Sequence, residues 1–387
     1  MLWTSLLALG GACLVPSVFQ AAVPAAGARS NSSTPALAAA RRFSLPRPRE
    51  GDYIASDFRF QSGEVLHELR LHYMTFGQPV RDENGVVSNA VLVMHGTTGS
   101  GRGFLSETFA GGLFAPGRIL DASRYYIILP DGVGHGRSSR PSDGLHMRFP
   151  RYTYDDMVRA QHLLLTRHLD VHHLRLVMGT SMGGMHTWVW GYTYPDFMDA
   201  LMPLASLPVE IAGRNRMLRK MIIDSIKTDP EWRHGEYQAQ PRGLRGAVHI
   251  LIIMVSSPLY WQKIAPTRLE AEALLDERMN HYLPHLDATD MIYQFDASRN
   301  YNPAPHLEEI KAPLLAINSA DDQVNPPELG ILEKQIRRVR RGRAVVLPIT
   351  GKTRGHGTHS IPAIWGEHLR RLLARSESAA MGSSFLP

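Results

Sequence analysis

Six short runs constrain what this chain can fold into: residues 90–94 (AVLVM), 125–129 (YYIIL), 174–178 (LRLVM), 200–204 (ALMPL), 313–317 (PLLAI) and 344–347 (AVVL). A strand with one wet face alternates polar and apolar residues. Runs that are apolar on both faces have to be covered on both faces, as in a parallel sheet sandwiched between helices. Helix-length segments separate most of them, so the fold class is α/β with a mostly parallel central sheet. Upstream, residues 58–76 alternate in part, with Leu69, Leu71 and Tyr73 on one side and a Ser62-Gly63 turn signal, which predicts an antiparallel pair of strands. Between 206 and about 305 no strand pattern appears, and residues 217–226, 247–255 and 268–279 read as helices. Because the strand rhythm then resumes, this stretch is predicted to be an inserted helical lid. The expected organisation is a core over 51–206 and 306–375, a lid over 207–305 and a flexible tail over 376–387.

The turn after the third of these runs carries the chemistry. Gly179-Thr180-Ser181-Met182-Gly183 fits G-x-S-x-G between a buried strand and a helical segment. That context marks a nucleophile elbow, in which a strained turn lifts the serine above the sheet. An acyl-transferring serine needs a base and an acid to orient it, and after an elbow of this kind they lie on loops following later strands in the order Ser, acid, His. The fifth run leads into Ala320-Asp321-Asp322-Gln323-Val324, and the sixth into Gly355-His356-Gly357-Thr358-His359. The oxyanion hole requires the N–H of Met182 and one from the loop after the first run, His95-Gly96-Thr97-Thr98-Gly99. Thr97 is the candidate second donor and Thr98 the alternative. The glycine-rich stretch that follows lacks the Lys-Ser/Thr ending of a phosphate-binding loop.

Other features narrow the function. No H-E-x-x-H spacing is present, so no metal site is expected, and His135, His172 and His173 read as surface or loop histidines. No cofactor is implied. Met178, Met182 and Met185 read as packed interior, with Met185 a candidate for the substrate pocket. The net charge is +6, but the arginine cluster at 337–343 has no interleaved aromatics and reads as a solvated helix end rather than a nucleic-acid surface. Residues 1–28 contain no Lys, Arg, Asp or Glu, are largely apolar from 2 to 19, and end in small residues. They read as a signal peptide and predict export to a periplasmic or extracellular location; Gly10, Gly11 and Pro16 argue against a permanent membrane span. Residues 29–50 read as a flexible lead-in. Cys13, the only cysteine, lies within the leader, which excludes thiol catalysis and disulfides in the mature chain.

Ser181-Met182-Gly183-Gly184-Met185 with Tyr194-Pro195-Asp196, Asp229-Pro230-Glu231-Trp232, Gly243-Leu244, Asp322 before Pro326-Pro327-Glu328, and Gly355-His356 together resemble the homoserine O-acetyltransferase branch of the α/β-hydrolase superfamily. The resemblance runs from about residue 58 to 373. It implies an α/β-hydrolase fold, an acyl-serine intermediate, a Ser181, Asp322 and His356 triad, a helical lid and often a homodimer. The chain departs from the family in two places. The oxyanion loop reads His-Gly-Thr-Thr-Gly where the family has His-Ala-Leu-Thr-Gly. Val248 stands where the family carries an arginine suited to a substrate carboxylate. The expected activity is hydrolysis of a small-molecule ester or thioester. The alternative is O-acyl transfer from acyl-CoA to an alcohol, for which Val248 marks a candidate substrate-binding position.

Overall fold

A computed structural model describes residues 47–383. The leader expected over 1–28 and most of the lead-in lie outside the described residues. The first strand, β1 (Arg49–Arg59), already occupies the last two positions assigned to that lead-in. It forms a hairpin with β2 (Val65–Phe76) around the Ser62-Gly63 turn. The six apolar runs become β3 (Ala90–Met94), β4 (Tyr126–Pro130), β5 (Leu176–Thr180), β6 (Leu201–Leu204), β7 (Leu314–Ser319) and β8 (Gly342–Leu347). The sheet order is β1-β2-β4-β3-β5-β6-β7-β8, antiparallel at β1 and β2 and parallel from β4 to β8.

Every residue of β3, β4, β5, β6 and β7 is buried. Alternate side chains feed two cores. Leu92, Met94 and Val177 pack on one face with Trp188, Trp190 and helix α1 (Tyr154–Leu163); Val91, Val93 and Met178 pack on the other with Phe114, Trp365 and Leu369. Helix α1 starts where Thr153 and Asp156 cap each other's backbone N–H groups.

The one charge within these runs, Arg175, is buried and tied to the C-terminal helix α9 (Pro362–Ser383). Its guanidinium donates to the Ser376 hydroxyl at 2.6 Å, the Leu373 carbonyl at 2.7 Å and the Glu377 carboxylate at 3.1 Å. The helix therefore continues to Ser383, into the segment read as a flexible tail. The polar composition of that segment reflects partners for a buried cation rather than absence of structure.

Chain direction reverses its march across the sheet at β3: β4 lies on one side and β5 to β8 on the other. Such a switch point opens a crevice at the carboxyl ends of the strands. Residues between β6 and β7 rise over the sheet as α3 (Gly213–Lys227), α4 (Arg242–Met254), α5 (Pro258–Ile264), α6 (Arg268–Tyr282) and α7 (Ala288–Asp296). This lid has its own core, built on Ile222, Ile226, Trp232, Leu251, Met279, Met291 and Phe295. Among the described residues no single helix is long and apolar enough to cross a membrane.

Candidate active site

Parallel pairing of Met94 with Gly179 sets the loop after β3 beside the turn after β5. Ser181 holds φ 55° and ψ −112°, a conformation rarely taken by a residue with a side chain. Its N–H is secured by the Leu204 carbonyl at 2.9 Å. Helix α2 (Met182–Thr193) begins at the next residue and runs so close to the sheet that a Cβ on Gly183 would lie 2.0 Å from the Met94 carbonyl oxygen. The glycines of the motif thus allow the approach that fixes the serine.

Loops after β7 and β8 converge on this serine. His356 Nε2 lies 2.8 Å from Ser181 Oγ, and His356 Nδ1 lies 2.9 Å from Asp322 Oδ2. The carboxylate also accepts the Val324 N–H at 2.8 Å, the Asn325 N–H at 3.3 Å and the Asn325 side-chain amide at 3.2 Å. Burial alone would push the Asp322 carboxyl up; the His356 charge and these donors outweigh it and hold it below the usual carboxylate range. An ionised Asp322 fixes the proton on Nδ1 and leaves Nε2 free to accept from the serine hydroxyl. His359 is not in this line. Its ring packs edge-on against His356 at 5.3 Å, and burial with the His356 charge lowers its pKa to about 3.

Met182 is the first residue of α2, so its N–H has no intrahelical partner. The loop after β3 is shaped from below. His95 Nδ1 donates to the Gly96 carbonyl at 2.8 Å, which also accepts the Gly99 N–H at 3.0 Å. Since a trans peptide carries its N–H opposite its C=O, the Thr97 N–H faces away from both donors. Gly96 lies against Ser181: a Cβ there would sit 3.3 Å from the serine Cβ. Thr98 takes φ 63° and lies on the same loop, and the Thr97 hydroxyl is buried without a partner. The structure therefore brings Ser181, Asp322, His356, Met182 and the Thr97–Thr98 loop together.

Two further positions behave differently. Met185 lines a cavity of about 230 Å³ with Leu207, Val209, Ile211, Val324 and Leu329, next to the loop that carries Asp322. Val248 has no exposed surface and packs in the lid's own core with Ile226, Leu244 and Leu251. Its apolar side chain serves lid packing. Arg242 and Arg245, its neighbours on α4, are exposed, and Arg242 pairs with Glu231.

Three contributors escaped the sequence reading. His95 shapes the loop after β3, and Asn325 donates to Asp322. Asp131 accepts the Gly101 N–H at 2.7 Å and the Arg137 N–H at 2.8 Å, tying the loop after β3 to the loop after β4. Asp321 bonds elsewhere, as described below. His135 lies on the loop after β4, as expected, but not at the surface: it is fully buried, its ring 5.1 Å from His95, and burial keeps it neutral. His172 and His173 do pair with carboxylates, Asp170 and Asp199, near the surface. His95 was legible as part of the His-Gly loop; its role was not, because a backbone acceptor leaves no mark in sequence.

A hydrogen-bonded Ser-His-Asp line at a strained strand-to-helix turn is the arrangement of acyl-transferring serine enzymes. The α/β hydrolase fold family model matches residues 89–341. The chain belongs to the homoserine O-acetyltransferase-like branch of the α/β-hydrolases. It is 32% identical over 274 residues to a probable acyltransferase of Methanothermobacter thermautotrophicus, covering 70% of this chain and 82% of that one. It is 30% identical over 341 residues to the homoserine O-acetyltransferase of Geotalea daltonii, covering 78% and 90%. Among solved structures, homoserine O-acetyltransferase from Bacillus anthracis superposes with a TM-score of 0.74 at 20% identity, covering 85% of this chain and 98% of that one. An acetylester hydrolase from Corynebacterium glutamicum gives 0.73 at 20% identity, covering 84% and 96%. This α/β-hydrolase is accordingly an enzyme of the hydrolase and acyltransferase type.

Proposed function

We propose that the protein hydrolyses a small-molecule ester or thioester through an acyl-Ser181 intermediate. The observation that carries this reading is the unbroken line from Asp322 through His356 to Ser181, at 2.9 and 2.8 Å. Ser181 Oγ attacks the acyl carbonyl as His356 Nε2 takes its proton. The N–H groups of Met182 and Thr97 hold the resulting oxyanion. Collapse expels the alcohol or thiol, which receives the proton from His356. Water then repeats the sequence against the acyl-serine and releases the acid. The apolar side of the cavity beside Met185, formed by Leu207, Val209, Ile211 and Leu329, suits the hydrocarbon part of the substrate, and Glu210 and Arg214 give the cavity a charged side.

Water is favoured as acceptor because an amino-acid alcohol needs a cation for its carboxylate. On α4 the family position is Val248, closed into the lid core, while Arg242 and Arg245 are exposed to solvent; the cation that lines the cavity beside Met185, Arg214, is itself exposed and donates to the Gln323 carbonyl at 2.6 Å. The names of the relatives at 30 to 32% identity support the rival reading, O-acyl transfer from acyl-CoA to an alcohol such as homoserine.

A series of chromogenic acetyl and butyryl esters, assayed with and without millimolar homoserine and serine, separates the two. Hydrolysis unaffected by the acceptors is the expected result. Formation of O-acetylhomoserine from acetyl-CoA faster than background hydrolysis would overturn the hydrolase reading. A fluorophosphonate probe is expected to label Ser181 alone. Ser181→Ala should abolish labelling and lower turnover by about four powers of ten.

Two further readings accompany this one. Export is supported by the uncharged, apolar composition of residues 1–28, and the N-terminal sequence of the secreted product tests it. A homodimer is supported by apolar side chains exposed on the lid, among them Met217, Met221, Ile253, Leu259 and Leu269, and sedimentation equilibrium tests it.

A further inference from the structure

Directly beside the acid that faces His356 lies a second buried carboxylate, Asp321. Its Oδ1 accepts the Ser319 hydroxyl at 2.6 Å. Its Oδ2 accepts the Gly355 N–H at 2.8 Å and the Ser257 hydroxyl at 3.2 Å. These three donors come from three parts of the fold. Ser319 ends β7, Gly355 immediately precedes His356, and Ser257 is the residue from which lid helix α5 starts. Ser257 is itself buried, and its hydroxyl makes no capping bond to α5. It is directed to the core instead.

The packing around this carboxylate is as specific as the bonding. Gly355 takes φ +59°, a left-handed conformation, and a Cβ there would lie 2.6 Å from the Ser257 Cβ and 3.0 Å from the Asp321 carbonyl oxygen. The chain entering His356 is thus held between the Asp321 segment and the first residue of α5. Among the described residues, no cation lies within ion-pair distance of Asp321, so it acts through its acceptor oxygens. Among the described residues, no hydrogen bond joins the Asp321 carboxylate to the His356 ring or to Ser181.

We propose that Asp321 is a positioning residue that sets His356 through the Gly355 N–H and ties that setting to the seating of lid helix α5 through Ser257. The inference rests on the reading of His356 as the base. A buried backbone N–H without its acceptor shifts to find another, and the ring one residue along moves with it. Displacement of a reacting group by about 1 Å costs on the order of a hundredfold in rate. Lid and base are therefore mechanically joined: the histidine is correctly placed when α5 is seated.

Asp321→Asn keeps an acceptor oxygen for Gly355 and presents an amide to the Ser319 oxygen, whereas Asp321→Ala removes every acceptor. Expected for Asp321→Ala is a kcat reduced about 10- to 100-fold with KM within about threefold, and a parallel fall in the rate of fluorophosphonate labelling. Asp321→Asn should restore kcat to within about fivefold of the parent enzyme, since acceptance rather than charge is required. Ser257→Ala, which keeps the carboxylate and the fold, should lower kcat about three- to tenfold. Melting curves normalise each rate to folded protein. Asp321→Ala and Ser257→Ala proteins that are less stable yet turn over at the parent kcat would show a purely structural carboxylate and overturn the proposal. The site reading fails separately, if Ser181→Ala retains turnover and labelling.

Discussion

His95 donates from Nδ1 to the carbonyl oxygen of the residue that follows it, Gly96, at 2.8 Å, while its Nε2 accepts the Gly132 N–H at 2.9 Å. The ring is thereby fixed in one neutral tautomer, and burial, which lowers its pKa despite the nearby Asp131, favours that form. One imidazole spans the loops after β3 and β4 and turns the Gly96–Thr97 peptide. If the Thr97 N–H stabilises the oxyanion, His95 should matter to the rate and little to substrate binding. His95→Ala is expected to lower kcat on a chromogenic ester about 10- to 100-fold, with KM changed less than about threefold. A raised KM with kcat unchanged would place the role of the loop in ground-state binding.

The line Asp322–His356–Ser181 gives distinct expectations for four neighbouring side chains. Asp322→Asn cannot stabilise a charged imidazole and should lower kcat by about three to four powers of ten. His356→Ala should match Ser181→Ala, and the double variant should be no worse, because members of one catalytic unit are not additive. His359→Ala, by contrast, removes a packing partner of His356 and should stay within about tenfold. A mild His356→Ala with a severe His359→Ala would transfer the base to the second histidine.

Asp290 on α7 accepts both the N–H and the hydroxyl of Ser142, at 2.9 and 2.7 Å, fastening the lid to the loop after β4. Burial and then the Asp287 charge push its carboxyl up to about 7 from the ordinary 3.8. Between those values the folded protein holds a proton that the unfolded chain has released. The contribution is therefore fully present below about pH 4 and is lost as pH rises through 7, at most about 2–4 kcal/mol. Asp290→Asn stays neutral; its amide oxygen can accept the Ser142 N–H while its amide nitrogen donates to the Ser142 hydroxyl oxygen. The melting temperature of the variant, relative to the parent, should rise between pH 5 and pH 8; a difference constant with pH would contradict the shift.

Removal of residues 376–387 strips the Ser376 and Glu377 partners from the buried Arg175. The Leu373 carbonyl remains, so the cation is under-bonded rather than abandoned. A truncated chain should lose about 1–3 kcal/mol of stability by urea unfolding, and Arg175→Met in the truncated chain should recover part of it. An unchanged midpoint on truncation would show that α9 ends, energetically, at Leu373.

The sequence by itself determined the sheet and the elbow. Runs without a polar face leave one solution, a covered parallel sheet. G-x-S-x-G after such a run has a steric meaning that neighbouring residues reveal: a Cβ on Gly183 would strike the β3 backbone. It also determined the order of acid and histidine, because each follows a recognisable strand. The resemblance named Asp322 as the acid; only the tertiary structure decided what its neighbour does, since a single step along the loop turns Asp322 to the imidazole and Asp321 to the Gly355 N–H. It alone assigned Arg175 to α9, His135 to the interior and Val248 to the core of the lid. The physical reason is common to these cases. Local pattern reports how a segment pairs and packs as an element, whereas the partner of a polar side chain is set by which distant segment supplies the complementary donor or acceptor.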